Sequence, residues 1–249
     1  MKSFLDYLNE AEAKTKTKSK VNLGPDLDDV CIPHTWYPIS ERNNVIAFRF
    51  INTNFYAYVK PGDYNAVDLG AAIAVAMNTA LTNIPDRFES SYDAGLNKIT
   101  IKLMTGFAFP FQIYTDVEFK ALSPSLIGRS MNRTLKNFVL KAYDETDFVS
   151  GYIDIYPIRN IYMTASGLGN FNTISVAGDR NIVKKIPVNA PHGDVIFDQT
   201  ITGMDYLDCS HQTLSRLSFQ LRDVYGTVLE LNGNHISFSI VFSRVQDGS

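Results

Sequence analysis

The stretch RLSFQLRDVYGTVLELNGNHISFSIVF, Arg216 to Phe242, limits the possible folds more than any other part of the chain. Leu217, Phe219 and Leu221 point one way while Ser218, Gln220 and Arg222 point the other, and Ile236, Phe238, Ile240 and Phe242 repeat the pattern. Successive side chains of a strand leave opposite faces of its sheet, so a period of two marks a half-buried strand. Asn232-Gly233 is a strong hairpin signal, because a type I′ turn needs positive φ at both central residues. Asp223 to Gly226 reads as a second turn, so the pattern predicts three meandering strands. A slip of one residue would carry Phe219 and Phe238 to solvent, which sets the register firmly.

Similar signals recur upstream. VIAFRF and NFYAYV flank Ile51 to Thr53, and NKITIKLM, FAFPFQIYT, GYIDIYPI, NIYMTAS, NIVKKIPV and DVIFDQTI follow, separated by Gly, Asn, Asp and Pro. Pro110 and Pro187 inside such runs suggest edge strands or bulges. The period changes once: Leu69, Ile73, Met77 and Leu81, with Ala72, Ala76 and Ala80 beside them, fit one helical face. Asn65 is the predicted N-cap, Asp68 takes the capping-box place, and the helix is expected to end by Pro85. Ser123 to Thr146 reads as either helix or loop.

Strands spaced about ten residues apart with one inserted helix predict an all-β fold, an antiparallel β-sandwich. A jelly roll and a Greek-key sandwich fit this spacing equally. The sandwich is expected over residues 45–249. Residues 21–44, rich in Pro, read as an extended linker packed on the body through Trp36 and Tyr37, and residues 1–20 read as a flexible N-terminal arm.

A chain of 249 residues, 45% of them hydrophobic, can bury a sizeable core. No apolar run approaches the roughly 20 residues that cross a bilayer, and the first residues lack a signal-peptide core. The expectation is a soluble chain, intracellular as made. Cys31 and Cys209 lie far apart with no metal-ligand spacing, so reduced packed thiols are expected rather than a disulfide. The net charge is −3; residues 1–20 hold five Lys and three acidic residues, +2, which leaves −5 for the rest. The body therefore offers no dedicated nucleic-acid surface. The arm, with Phe4, Leu5, Leu8 and Ala11 on one helical face before KTKTKSK, reads as a solvated tail or as a segment that orders on a neighbouring subunit or an anionic polymer.

Signals for catalysis are weak. His34, His192, His211 and His235 have no histidine partner at i+2 or i+4, as zinc motifs require. Cys209 and His211 are near neighbours in sequence, whereas catalytic pairs usually converge from distant segments. GLGNFN, Gly167 to Asn172, lacks the third glycine and the following helix of a dinucleotide loop. Asp63 with Asp68, and Asp205 with Asp208, flank turns and helix starts, where carboxylates cap backbone N–H groups. No catalytic residue, metal or cofactor is expected, and the chain does not read as an enzyme. The 13 Tyr and 16 Phe are the remaining oddity: FRFINTNFYAY and FAFPF put aromatics on both faces of their strands. The second face holds either ordinary strand formers or side chains that meet a partner.

NTNFYAYVKPGDYNAVDLGAAIAVAMNTAL followed by NKITIKL, IYPIRNIYMTASGL followed by NIVKKIPV, and the closing LSFQLRDVYGTVLELNGNHISFSIVF together resemble the penton (minor capsid) proteins of virophages and Polinton-type elements, over roughly residues 45–245. The resemblance implies a jelly roll that forms homopentamers at the vertices of an icosahedral capsid, beside a separate major capsid protein. It implies location in the virion after synthesis in the host cytoplasm, and it carries over no catalytic residue. The closing hairpin would then form inner strands of the roll, and the aromatic second faces would lie between subunits. In the arm, Phe4, Leu5 and Leu8 would dock on a neighbouring capsid subunit, with Lys14, Lys16, Lys18 and Lys20 facing packaged DNA or an acidic surface. The competing reading is a carbohydrate- or receptor-binding β-sandwich of a viral fibre or tail, with Trp36, Tyr37 and Tyr162 stacking on sugar rings. A hydrolase built on a sandwich is the weakest reading, because no nucleophile and base can be nominated.

Overall fold

Period-two sequence becomes paired strand along most of the chain in a computed structural model, which describes residues 22–82, 87–105, 109–138, 146–166, 181–200 and 217–245. The fold is an antiparallel β-sandwich of the jelly-roll class: the sheets are three-stranded, every pairing between strands among the described residues is antiparallel, and helices are few. The chain divides into two compact units, one of Met1–Thr35 with Ile158–Ser249 and the other of Trp36–Pro157. The second is thus a continuous insertion in the sequence of the first.

In the continuous unit, β2 (Val45–Phe50) pairs with β3 (Thr53–Tyr58) and β6 (Phe111–Ile113), and β5 (Lys98–Leu103) pairs with β4 (Phe88–Asp93) and β7 (Asp147–Val149). Helix α1 (Ala66–Ala80) forms where the helical period predicts it. The Asn65 side chain accepts from the Asp68 N–H at 2.9 Å, and its Nδ2 donates to Asp68 Oδ2 at 2.6 Å. Leu69, Ile73 and Met77 enter one core with Phe48, Phe50, Phe88 and Phe111. Helix α2 (Asp116–Leu122) was not foreseen, and within Ser123 to Thr146, left open between helix and loop, a 3₁₀ turn (Ile127–Arg129) and α3 (Asn132–Leu135) form. Glu118 reaches back to the Thr115 N–H at 2.9 Å to start α2. Asp116 takes hydrogen bonds from Ser130 and Asn132, at 2.7 and 3.0 Å.

GYIDIYPI is not a strand, contrary to its pattern. Its backbone groups are taken by other elements: Gly151 N–H donates to Leu135 O and Asp154 N–H to Thr134 O. A Cβ on Gly151 would stand 2.6 Å from Lys136 Cβ and 2.8 Å from its carbonyl oxygen. Gly151→Ala is therefore expected to cost about 1–3 kcal/mol, read as a lower urea midpoint for this unit; an unchanged midpoint would show that the turn yields freely.

In the other unit, β1 (Asn22–Pro33) lies between β10 (Val195–Asp198) and β12 (Ser237–Val245), and β8 (Asn160–Ser166) lies between β9 (Ile182–Pro187) and β11 (Ser218–Arg222). The stretch read as a linker over 21–44 thus supplies a central strand in its first part. Pro110 immediately precedes an edge strand and Pro187 ends another, as their positions suggested, and the register slips between Met163 and Thr164.

The closing meander is corrected. The turn at Asp223 forms, with its carboxylate accepting from Tyr225 and Thr227 N–H at 2.8 Å, and Asn232-Gly233 adopts the expected positive φ, 50° and 82°. Yet β11 pairs with β8, and β12 pairs with β1. Both closing strands are edges among the described residues, not inner strands. The Asn-Gly turn is held by Thr35, whose Oγ1 donates to Leu231 O at 2.8 Å and whose carbonyl accepts from Asn232 Nδ2. The chain therefore passes from one sheet to the other there. Phe219 and Phe238 meet across that change of sheet, ring centroids 4.9 Å apart at 62°.

Candidate assembly surface

Helix α1 is apolar almost all round, with Asp68, Asn78 and Thr79 its only polar side chains. Leu69, Ile73 and Met77 face the core, and Val67, Ala71 and Val75, four residues apart, stand exposed on the other side. Helices with this composition are ordinarily covered on both sides. The exposed stripe borders a groove of about 440 Å³, walled by Tyr56, Tyr58 and Tyr64 on one side and by Ala71, Val75 and Ala80 on α1, with Lys60 as its only charged lining residue.

The tyrosine wall is braced from behind. Arg129 lies over the Tyr58 ring, 5.6 Å from its centroid, a cation–π contact that favours one ring position. Arg129 is itself held by Glu41 and by Asn44 Oδ1, and the buried Asn44 donates to Val59 O at 3.0 Å. Tyr64 OH donates to Lys60 O at 2.8 Å, and the Tyr64 carbonyl lies 3.4 Å from Tyr156 OH, which also meets Asp63 at 3.3 Å. Burial pushes the Tyr156 phenol above its ordinary value, and the Asp63 carboxylate adds to the shift.

The second face of β2 and β3 is covered in part from within the chain, whereas Phe109 of FAFPF stands exposed. On the side of β2 and β3 away from the main core, Val45, Ala47 and Tyr114 form a second cluster with Phe119, and Tyr56, Leu126 and Ile127 pack against it. Tyr58 remains exposed on β3. In the other unit the alternation of β10 leaves Val195 and Phe197 exposed, with Ile196 and Asp198 buried.

Phe4, Leu5, Leu8, Lys14, Lys16, Lys18 and Lys20, the residues singled out for partner contact, lie outside the described residues, as do Cys209 with His211, GLGNFN, and Asp205 with Asp208. Trp36 is 7% exposed and Tyr162 half-buried; Trp36 is a core anchor and offers no platform for a sugar. Asn65 rather than Asp68 caps α1: it accepts the Asp68 N–H, and the Asp68 carboxylate meets the Asn65 side-chain amide instead of a backbone N–H. Fold rather than sequence spacing brings His34 and His192 together, ring centroids 5.8 Å apart. Among the described residues no three His, Cys, Asp or Glu side chains are placed to hold a metal ion, and no helix is long and apolar enough to cross a membrane. The groove was not foreseen; its signal was the near absence of polar residues from α1.

No protein-family model and no curated protein matches the chain. Among solved structures it is similar to the crystal structure of the mavirus penton protein, with a TM-score of 0.51 and 12% sequence identity, over 90% of this chain and 86% of that one. At this identity the likeness is one of fold, and at 90% coverage it extends over both units.

Proposed function

We propose that the chain is a structural capsid protein forming the pentameric vertices of an icosahedral double-stranded DNA virus or virophage particle. The observation that carries this reading is the fold likeness to a penton protein over nine-tenths of the chain, for a likeness that held only for a common sandwich core would fit many functions. The sequence patterns that resemble penton proteins support it independently. In this reading the subunit closes a five-fold ring through two different surface patches, as a heterologous contact requires, and sits beside a major capsid protein. Phe4, Leu5 and Leu8 of the arm dock on a neighbouring subunit, and its lysines meet packaged DNA or an acidic surface.

Light scattering across a concentration series, with negative-stain averages, tests the ring. The expected species has five times the 27.9 kDa chain mass, present throughout or appearing as concentration rises. A trimer would overturn the vertex assignment in favour of a fibre or receptor-binding role.

A further inference from the structure

We propose that the groove between β3 and α1 takes up the apolar face of residues 1–13 of this chain, through Phe4, Leu5 and Leu8. The groove suits a short apolar segment better than a sugar. Its walls are mostly tyrosine rings, alanines and a valine, and two of its four hydroxyls, those of Tyr64 and Thr79, are already spent on backbone carbonyls of Lys60 and Val75, each at 2.8 Å. Its volume of about 440 Å³ lies within the ~300–1,000 Å³ of sites that enclose small ligands, so it accepts a few side chains rather than a domain.

Residues 1–13 match this in pattern. Phe4, Leu5, Leu8 and Ala11 recur at helical spacing, the arrangement of a helix that lays one face in an apolar groove. The seven residues KTKTKSK that follow contain no apolar side chain and reach at most about 25 Å when extended, a tether between the apolar segment and β1. The charge of the segment agrees with the groove's one charged lining residue: residues 1–13 hold one Lys and three acidic residues, −2, against Lys60, and the other four lysines of the arm lie in the tether. Docking would also cover the stripe of Val67, Ala71 and Val75. The inference deepens the vertex reading, and only its between-subunit form rests on that reading.

Photo-crosslinking of the full chain tests it. A benzophenone amino acid replaces Val75, which is 64% exposed, and in a control chain it replaces Val117, 80% exposed on α2. After irradiation the Val75 probe is expected to be joined to a peptide within residues 1–13, the control is not, and Leu5→Asp with Leu8→Asp abolishes the product. A product of single-chain mass means that the segment comes from the same copy, and one of double mass that it comes from a second copy; both support docking. Attachment elsewhere, or no attachment, overturns it. A pentamer lacking this crosslink would remove only the docking, whereas the crosslink in a trimer would keep the docking and remove the vertex assignment.

Discussion

Lys184→Met is expected to cost the unit containing β8 to β12 about 3–5 kcal/mol, because it leaves a carboxylate buried without its counter-charge. Lys184 on β9 and Asp198 on β10 belong to different sheets, with Nζ and Oδ2 3.7 Å apart and the side chains 2% and 7% exposed. Lys184 Nζ also donates to Thr200 O at 2.9 Å, and Asp198 Oδ1 accepts the Thr200 N–H at 2.9 Å. The ion pair and the loop after β10 therefore form one network. Adding Asp198→Asn should recover most of the loss, since the amide keeps an acceptor for Thr200 without a buried charge, and a pair removed together costs far less than a pair broken. The chain's single tryptophan, Trp36, lies in the other unit, so its fluorescence is a poor monitor here. Amide hydrogen exchange in peptides covering 182–200 reads the effect directly. A loss below about 1 kcal/mol for Lys184→Met would show that water reaches the pair and that it behaves as a surface ion pair.

What was legible in the sequence was local. The caps of α1, both positive φ values at Asn232-Gly233 and the alternation of β5, β8 and β12 follow from residue chemistry within a few positions. The choice of partner strand does not. The Asn-Gly turn reverses the chain as predicted, yet contacts to Thr35, 197 residues away, accompany a change of sheet in place of a hairpin. Strand β1 was hidden for a related reason: NLGPDLDDVCIP has the glycine, prolines and acidic residues of a linker, and it becomes a strand by pairing on both edges, with a register shift between Leu27 and Asp29. Strand β4, FESSYD, is too polar to announce itself but is fixed against α1, where Asn78 Oδ1 accepts from the Arg87 and Phe88 N–H groups.

The two units also bear on assembly. A sandwich that joins a ring through apolar contacts leaves apolar surface uncovered in the monomer, and among the described residues that surface includes Tyr58, Phe109 and Phe138 with the outer stripe of α1 in one unit, and Val195, Phe197 and Tyr225 in the other. Part of the aromatic content that first suggested subunit contacts is core, for Phe48, Phe50 and Phe111 are buried while Tyr58 and Phe109 stand exposed. Phe48, Phe50, Phe88 and Phe111 pack edge to face around one another. A heterologous ring needs two unlike patches, and two of the exposed ones differ in shape, one a groove beside a helix and the other one face of a strand.

Phe119→Ala is expected to destabilise the continuous unit by about 3–5 kcal/mol, the usual loss for emptying a packed aromatic site. Phe119 is fully buried and is the main side chain that α2 places on the second face of β2 and β3, where its ring lies 6.0 Å from that of Tyr56. Tyr58→Ala, two residues along the same strand at a ring 51% exposed, should cost less than about 1 kcal/mol. Here Trp36 fluorescence is the suitable monitor, because the indole is buried in this unit and moves to water when the unit unfolds. The contrast separates two explanations of a doubly aromatic strand. If the second face is core covered by the chain's own α2 and 3₁₀ turn, Phe119→Ala lowers the urea midpoint steeply and exposes Val45, Ala47 and Tyr56 to a hydrophobic dye. If Phe119→Ala instead costs no more than Tyr58→Ala, the cover is dispensable and this face returns as a surface for a neighbouring copy.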